Sequence, residues 1–450
     1  MSKTIKLRRG FDLKLIGAAE PALRDTASPR LFALKPTDLH GLMPIPKLMV
    51  QEGDEVKAGD PLYFDKPAPE VMYASPVSGE VVEIRRAAKR AISAVVILAD
   101  AEMRFREFGT MNPATASRDA IVARLLESGA WPLIRQRPFN VVPDIDAVPR
   151  DIFVSCFGTG PLAPDYGLVL DGQEADFEAG LAVLRQLTTG DVHLGIEPKS
   201  DDWLRELKGV RIHSFSGPHP AGNVGVQIHH VAPINKGETV WTVKPQDVLV
   251  IGRLFSKGVF DTERLVAITG SEIQETGYVR TRLGAQIKPF VEDNVDTSEG
   301  RLRYISGDVL TGTTIDSDGF LSLFDDQITV IPEGDDPEFL GWLLPSYPRP
   351  STHRLMPSFF SRKPFKVNTN MHGEPRPLVV SGEYEDVVPM DLLPMQLIKS
   401  IVYNDFEQME GLGIYEVVEE DLALCEFACT SKTPVQQILR EGLDMVRLDG

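Results

Sequence analysis

Cysteine, positive charge and long apolar runs are all scarce in this 450-residue chain, and each scarcity removes a class of protein. Cysteine occurs only at Cys156, Cys425 and Cys429. That is too few for a disulfide framework and fits a reduced, cytoplasmic setting. No stretch comes near the roughly 20 consecutive apolar residues of a membrane span. The basic start, MSKTIKLRRG, has no apolar core behind it, so it does not read as a secretory signal. Asp12 and Glu20 interrupt it too early for a transit peptide. The expectation is a soluble, intracellular chain. Its 47 Lys and Arg face 65 Asp and Glu, a net charge of −18. Nucleic acids and anionic lipids are bound by basic clusters, so this balance argues against both. A membrane location would then need another protein to hold the chain there. From Ile401 onward 11 acidic residues stand against 3 basic ones, which reads as a solvated acidic surface.

What is present is ordinary for folded protein: 42% hydrophobic and 25% charged residues. The length suits three or four domains. The 37 glycines and 34 prolines point to many turns and substantial β content. A basic segment, 1–26, precedes a glycine-punctuated run of short strands over 27–105. Within it, Gly53-Asp54 and Gly59-Asp60 make two tight turns, since glycine accepts positive φ and aspartate bonds its own backbone. With SPVSGEVVEI pairing back, the run resembles a barrel-sandwich of the biotinyl/lipoyl type. Lys66 stands where an acceptor lysine would, but Pro67 and Pro69 stiffen its surroundings and no long linker is visible.

Over 106–258 strands and helices alternate, which predicts a Rossmann-like parallel sheet. Ser117 caps a helix that Gly129 and Pro132 stop. Strands are expected over 151–157, 192–196 and 210–215, with helices over 175–187 and 200–207. Gly158-Thr159-Gly160 follows the first of these strands. Pro161 and Pro164 come next, with no helix expected before about Gln173, so the loop reads as a structural turn and not a dinucleotide fingerprint. Strand-Gly-strand units over 259–331 suggest a β-grasp module. A proline-rich connection and helices fill 332–450, ending in a helix capped by Thr433 with Pro434 in its first position.

His213, His219, His229 and His230 cluster in the sequence, but their spacing matches no standard metal site. Packing and backbone hydrogen bonds account for them, with His229 and His230 on opposite faces of a strand. Cys425 and Cys429 are spaced to share one helix face, yet two thiolates cannot hold an iron–sulfur cluster. Cys156 reads as core. No metal site is expected.

IKLRRGFDLKLIGAAE, VQEGDEVKAGDPLYFDK, SGAWPLIRQRPFN, RDIFVSCFGTGPLAPD, GPHPAGNVGVQIHHVAPI and EEDLALCEFAC occur in this order and span most of the chain. Together they resemble the A-subunit family of the sodium-translocating NADH:quinone reductases, and behind it the Rnf-complex C subunit. The NADH- and flavin-binding subunit of respiratory complex I is a more distant relative. There a GxGGAGFP-type loop holds the flavin phosphate; the corresponding segment here, Ser128–Asn140, carries Trp131, Pro132, Leu133 and Ile134 in its place. The resemblance therefore implies that the flavin site is lost, with Trp131 filling part of it. It also implies that the iron–sulfur cluster is lost, with Cys425 and Cys429 as its remnant. Arg135 and Arg137 beside that loop face an anion or acidic partner, or are simply solvent-exposed. The family further implies an α/β multidomain chain with barrel-sandwich, Rossmann-like, SLBB-like β-grasp and helical parts. Such a chain sits on the cytoplasmic side of the bacterial inner membrane and docks chiefly on the B subunit. It would carry no catalytic residue and bind no cofactor itself. Ubiquinone or another quinone is the substrate of the whole complex, and Phe32, Trp131, Phe139 and Phe157 are the candidates for contact with it. The competing readings are an autonomous nucleotide- or quinone-binding oxidoreductase and a lipoyl- or biotin-carrier module.

Overall fold

The computed structural model describes residues 3–26, 28–298, 300–334 and 349–449; the part of the proline-rich connection over 335–348 lies outside them. Both glycine-aspartate turns form by the same device. Gly53 and Gly59 adopt φ of 91° and 94°. The Asp54 and Asp60 carboxylates accept from the Gln51 and Lys57 amides at 2.9 and 2.7 Å. These turns join two small antiparallel sheets, one ordered 31–34, 92–99, 79–86, 55–56 and the other 47–48, 61–65, 68–74. Tyr63 and Tyr73 stack between their faces at 4.9 Å.

The helix Arg118–Ser128 begins as its sequence predicts, with the Ser117 hydroxyl accepting from the Ala120 amide at 3.2 Å. It ends at Gly129 in the left-handed region. Beyond it lies a six-stranded sheet. Strands Thr4–Lys6, Arg211–Ser216, Val192–Ile196, Ile152–Ser155 and Val240–Thr242 are parallel, and Arg135–Arg137 closes one edge antiparallel. The basic N-terminal segment thus supplies the opposite edge strand. On one face, helices Glu174–Arg185 and Pro245–Ser256 cross closely. A Cβ at Gly180 would meet the Val248 carbonyl oxygen at 2.1 Å, and one at Gly252 the Asp176 carbonyl at 1.8 Å. Only glycine permits that approach. The short helix Tyr166–Leu170, capped by Asp165, starts earlier than the prolines before it suggested. Pro161 and Pro164 shape the loop without blocking a later turn.

A mixed five-stranded sheet follows, in the order 277–282, 263–269, 327–332, 302–306, 313–315. Gln246 clamps it to the preceding helix, donating to the Leu265 carbonyl and accepting from the Leu265 amide at 2.7 and 2.8 Å. The barrel-sandwich, the parallel sheet and this sheet share one continuous apolar core. Helices Pro394–Val402, Glu419–Ala428 and Val435–Asp449 build a second core, which also takes in Leu7, Leu13 and Leu15. The last helix starts at Val435, so Pro434 precedes it.

Candidate functional site

A cavity of about 730 Å³ opens where these parts meet. Lys35, Asp38 and His40 reach it from the barrel-sandwich, and Arg135, Arg137 and Lys244 from the α/β sheet. Asp308, Asp325 and Asp326 come from the five-stranded sheet, and Glu419, Glu420 and Arg440 from the C-terminal helices. The walls are charged with both signs. Burial opposes the Lys244 charge, yet Asp326, Asp325, Glu420 and Asp247 outweigh it and raise its pKa. Arg135, buried with no carboxylate within 4.0 Å among the described residues, is lowered to about 10 by desolvation. It stacks its guanidinium over Phe324 at 4.9 Å and donates to the Asn140 carbonyl oxygen. Arg264 joins Asp247 and Asp326 at 2.9 and 3.4 Å, tying the helix Pro245–Ser256 to the five-stranded sheet through buried charge.

In an open α/β sheet, ligands bind in the crevice beyond the carboxyl ends of the strands, against the amides that begin a helix. Here that crevice forms one wall of the cavity, through Ser155, Phe157, Gly158, Thr159, Gly222 and Val224. After strand Ile152–Ser155, the Thr159 hydroxyl accepts from the Gly222 amide at 2.8 Å, and a Cβ at Gly222 would meet the Phe157 carbonyl at 2.1 Å. The helix Val224–Val231 follows this second loop. Its first turn faces the Asp421 carboxylate so closely that a Cβ at Gly225 would stand 2.3 and 2.4 Å from the two oxygens. Asp421 also accepts from Arg137 Nη1 at 3.0 Å and from the Val418 amide at 3.1 Å. Arg137 completes its fork on Glu420 at 2.6 Å. Burial raises the Asp421 pKa to about 6, with Arg137 countering. A carboxylate paired with Arg137 therefore stands beside the start of this helix.

The four aromatic candidates do not converge. Phe32 and Trp131 belong to the first core, fully within it, whereas Phe139 and Phe157 are half-buried against the second. Of the four, Phe157 lines the cavity. Trp131 has no exposed surface, meets Trp241 edge-on at 5.3 Å and donates from Nε1 to the Pro143 carbonyl at 3.0 Å. Arg135 and Arg137 correct the solvent-exposed reading: they are 7% and 3% exposed, Arg135 against Asn140 and Phe324 and Arg137 against Glu420 and Asp421 of a C-terminal helix. His229 and His230 also differ from expectation. They lie in the last turn of a helix, not a strand, since the apolar run from Val224 packs on Phe153 with helical spacing. His229 bonds Glu416 at 2.7 Å and His230 the Pro389 carbonyl at 2.7 Å. His213 instead pairs with His193 at 2.9 Å, while His219 contacts Thr159 at 3.3 Å. Among the described residues no group of three or more His, Cys, Asp or Glu could hold a metal ion. Lys66 is exposed at the tip of a tight hairpin between strands Pro61–Asp65 and Ala68–Ala74. All three cysteines are buried, and the Cys429 sulfur accepts from the Tyr384 hydroxyl at 3.0 Å. Sequence reasoning missed Asp421. Its signal was an acid at the third position of a helix, where a carboxylate bonds the capping backbone.

Fold and site together define a multidomain α/β chain whose parts meet around a charged cavity. Family descriptions match in succession: an NqrA N-terminal barrel-sandwich hybrid domain over 5–100, an NqrA second alpha/beta domain over 116–260 and an NQRA C-terminal domain over 265–317. The chain is 37% identical over 453 residues to the A subunit of the Na(+)-translocating NADH-quinone reductase of Rhodopirellula baltica, covering 99% of this chain and 98% of that one. It is 38% identical to the A subunit from Saccharophagus degradans, over 99% and 100% of the two chains. With the A subunit from Neisseria meningitidis serogroup B the figures are 36%, 99% and 100%. The chain belongs to the A-subunit family of the Na(+)-translocating NADH-quinone reductases. A crystal structure of an NAD+-reducing [NiFe]-hydrogenase in the H2-reduced state aligns with a TM-score of 0.39 and 11% identity, over 74% of this chain and 64% of that one. No helix among the described residues is long and apolar enough to cross a membrane.

Proposed function

We propose that this chain is the peripheral A subunit of a sodium-pumping NADH:quinone reductase, a docking component that carries no flavin or cluster of its own. In this reading it sits on the cytoplasmic side and binds chiefly to the membrane-embedded B subunit. The observation that carries it is the Asp421 carboxylate set against the Gly225 turn and paired with Arg137. A second anion there would meet a buried negative charge, a costly arrangement. Trp131, packed solidly in the corresponding loop, supports the same conclusion.

The test has two arms. The purified chain is expected to be colourless, to leave NADH unoxidised and to show no thermal shift with NADH or FMN. Expressed with the remaining subunits, it is expected to co-purify with them and to be required for their quinone reductase activity. A yellow preparation with its own NADH oxidation would replace the docking role with an autonomous oxidoreductase. Quinone contact is the narrower form of the proposal. Phe157, on the cavity wall, is the aromatic that supports it. Phe157→Ala is expected to raise the KM for quinone in the assembled complex while leaving kcat unchanged; an unchanged KM removes this contact.

A further inference from the structure

On a chain of net charge −18, residues 349–373 contain five Lys and Arg and no Asp or Glu. The stretch is pinned to the body at two points. Phe359 stacks on Phe11 at 6.3 Å. Phe365 pairs with the segment around Leu15, its amide donating to the Lys14 carbonyl at 2.7 Å and its carbonyl accepting from the Ile16 amide at 3.0 Å. Lys366 is fixed by the buried Glu272 at 2.9 Å. The short 3-10 turn Pro357–Phe360, which carries the first anchor, buries Ser358 and turns Phe360 outward. Leu355 is 94% exposed and Phe360 71%. Arg354, Arg362 and Lys363 flank them, exposed, and none makes an ion pair within 4.0 Å among the described residues.

We propose that this strap rests on an anionic lipid surface, with Leu355 and Phe360 in the interfacial layer and Arg354, Arg362 and Lys363 on headgroup phosphates. The argument is one of charge and shape. Cations left without acidic partners, on an otherwise acidic protein, seek a surface dense in negative charge. Apolar tips ringed by long basic side chains suit the boundary between headgroup and acyl chain. The whole-chain charge still opposes adsorption elsewhere on the surface, so it orients the protein with this face toward the bilayer. The inference rests on the peripheral-subunit reading and deepens it: the partner subunits hold the chain, and the strap fixes its tilt.

Flotation of the full chain with vesicles tests this. Vesicles of phosphatidylcholine alone are compared with vesicles containing about one-third phosphatidylglycerol, at low and physiological salt. Binding is expected only to the anionic vesicles and weaker in salt. Replacing all three cations in R354Q/R362Q/K363Q is expected to lower the partition coefficient roughly 100-fold, about fivefold for each. Phe360→Trp places an indole at the tip, and its fluorescence is expected to shift blue and be quenched by brominated lipid. Equal binding by the triple variant, or an indole that brominated lipid does not quench, overturns the proposal. So does loss of co-purification with the other subunits in the triple variant, with vesicle binding unchanged, because the strap is then a protein contact. Failure of the wild-type chain to co-purify at all counts against the docking reading alone, since vesicle binding is scored separately.

Discussion

Arg137 and Asp421 stand 284 positions apart in the chain and 3.0 Å apart in the fold. The arginine lies on the antiparallel edge strand of the α/β sheet and the aspartate in the first turn of a C-terminal helix. Their bond locks the helical part onto the sheet through side chains that are 4% and 0% exposed.

Removing one partner strands the other. Arg137→Met is expected to destabilise the fold by about 3–5 kcal/mol, seen as a lower denaturation midpoint in the transition that releases the helices. The double variant with Asp421→Leu is expected to regain much of that loss, because no buried charge is then left unpaired. A double variant no better than the single would show that packing, not charge, dominates here.

Asp421 also sets its carboxylate against the first turn of the helix that begins at Val224. Asp421→Ala is therefore expected to make the chain responsive to added phosphate. Phosphate at ten times its Kd raises the variant's stability by about 1.4 kcal/mol, while the wild type shows no specific response. Equal responses in calorimetric melts of both proteins would contradict this.

Acid should weaken the chain partly through His213. Burial, then the neighbouring His193 and Lys3, lower its pKa from 6.5 to about 4. Its Nδ1 accepts from the Lys3 amide at 3.1 Å, so its Nε2 hydrogen points to His193 Nδ1 at 2.9 Å, and both rings are satisfied as neutral tautomers. Between pH 6.5 and 4 the unfolded chain takes up a proton that the folded chain refuses. The stability His213 contributes is thus complete above pH 6.5 and lost as pH falls toward 4. Asp247 and Asp421, each raised to about 6 by burial, work the other way, favouring the fold as they protonate. The difference between wild type and His213→Gln isolates the histidine: the variant's stability should fall less steeply over this range.

Trp131 and Phe157 separate core from cavity wall. Trp131→Ala is expected to cost about 3–5 kcal/mol, as for a large buried aromatic, and Phe157→Ala clearly less. Chemical denaturation of the two variants measures the order.

Local chemistry was the legible part of the sequence. The two glycine-aspartate turns, the Ser117 cap and the strand at Val192–Ile196 follow from residue types and spacing alone. Contacts between distant segments were not legible in that way. Arg135 and Arg137 read as exposed because their main cover is distant in sequence: Phe324 stacks on Arg135, and the helix whose acids bond Arg137 begins 282 residues later, at Glu419. Val224–Val231 failed for a different reason, since a short apolar run ending in two histidines fits strand and helix equally well. The acidic start of the helix at Glu419 was read as a solvated face, yet Asp421 is buried there, and spacing alone carried no sign of the arginine that waits for it.

The edge strand Thr4–Lys6 sets an order on synthesis. Ile5 pairs with Phe215, so this strand has no partner until some 210 further residues have been made. At about 5–20 residues per second that is roughly 10 to 40 s. During that interval the barrel-sandwich, whose strand ladders close within residues 31–99, is free to fold first. The strand is then placed only after the domain that follows it in the chain has had time to form.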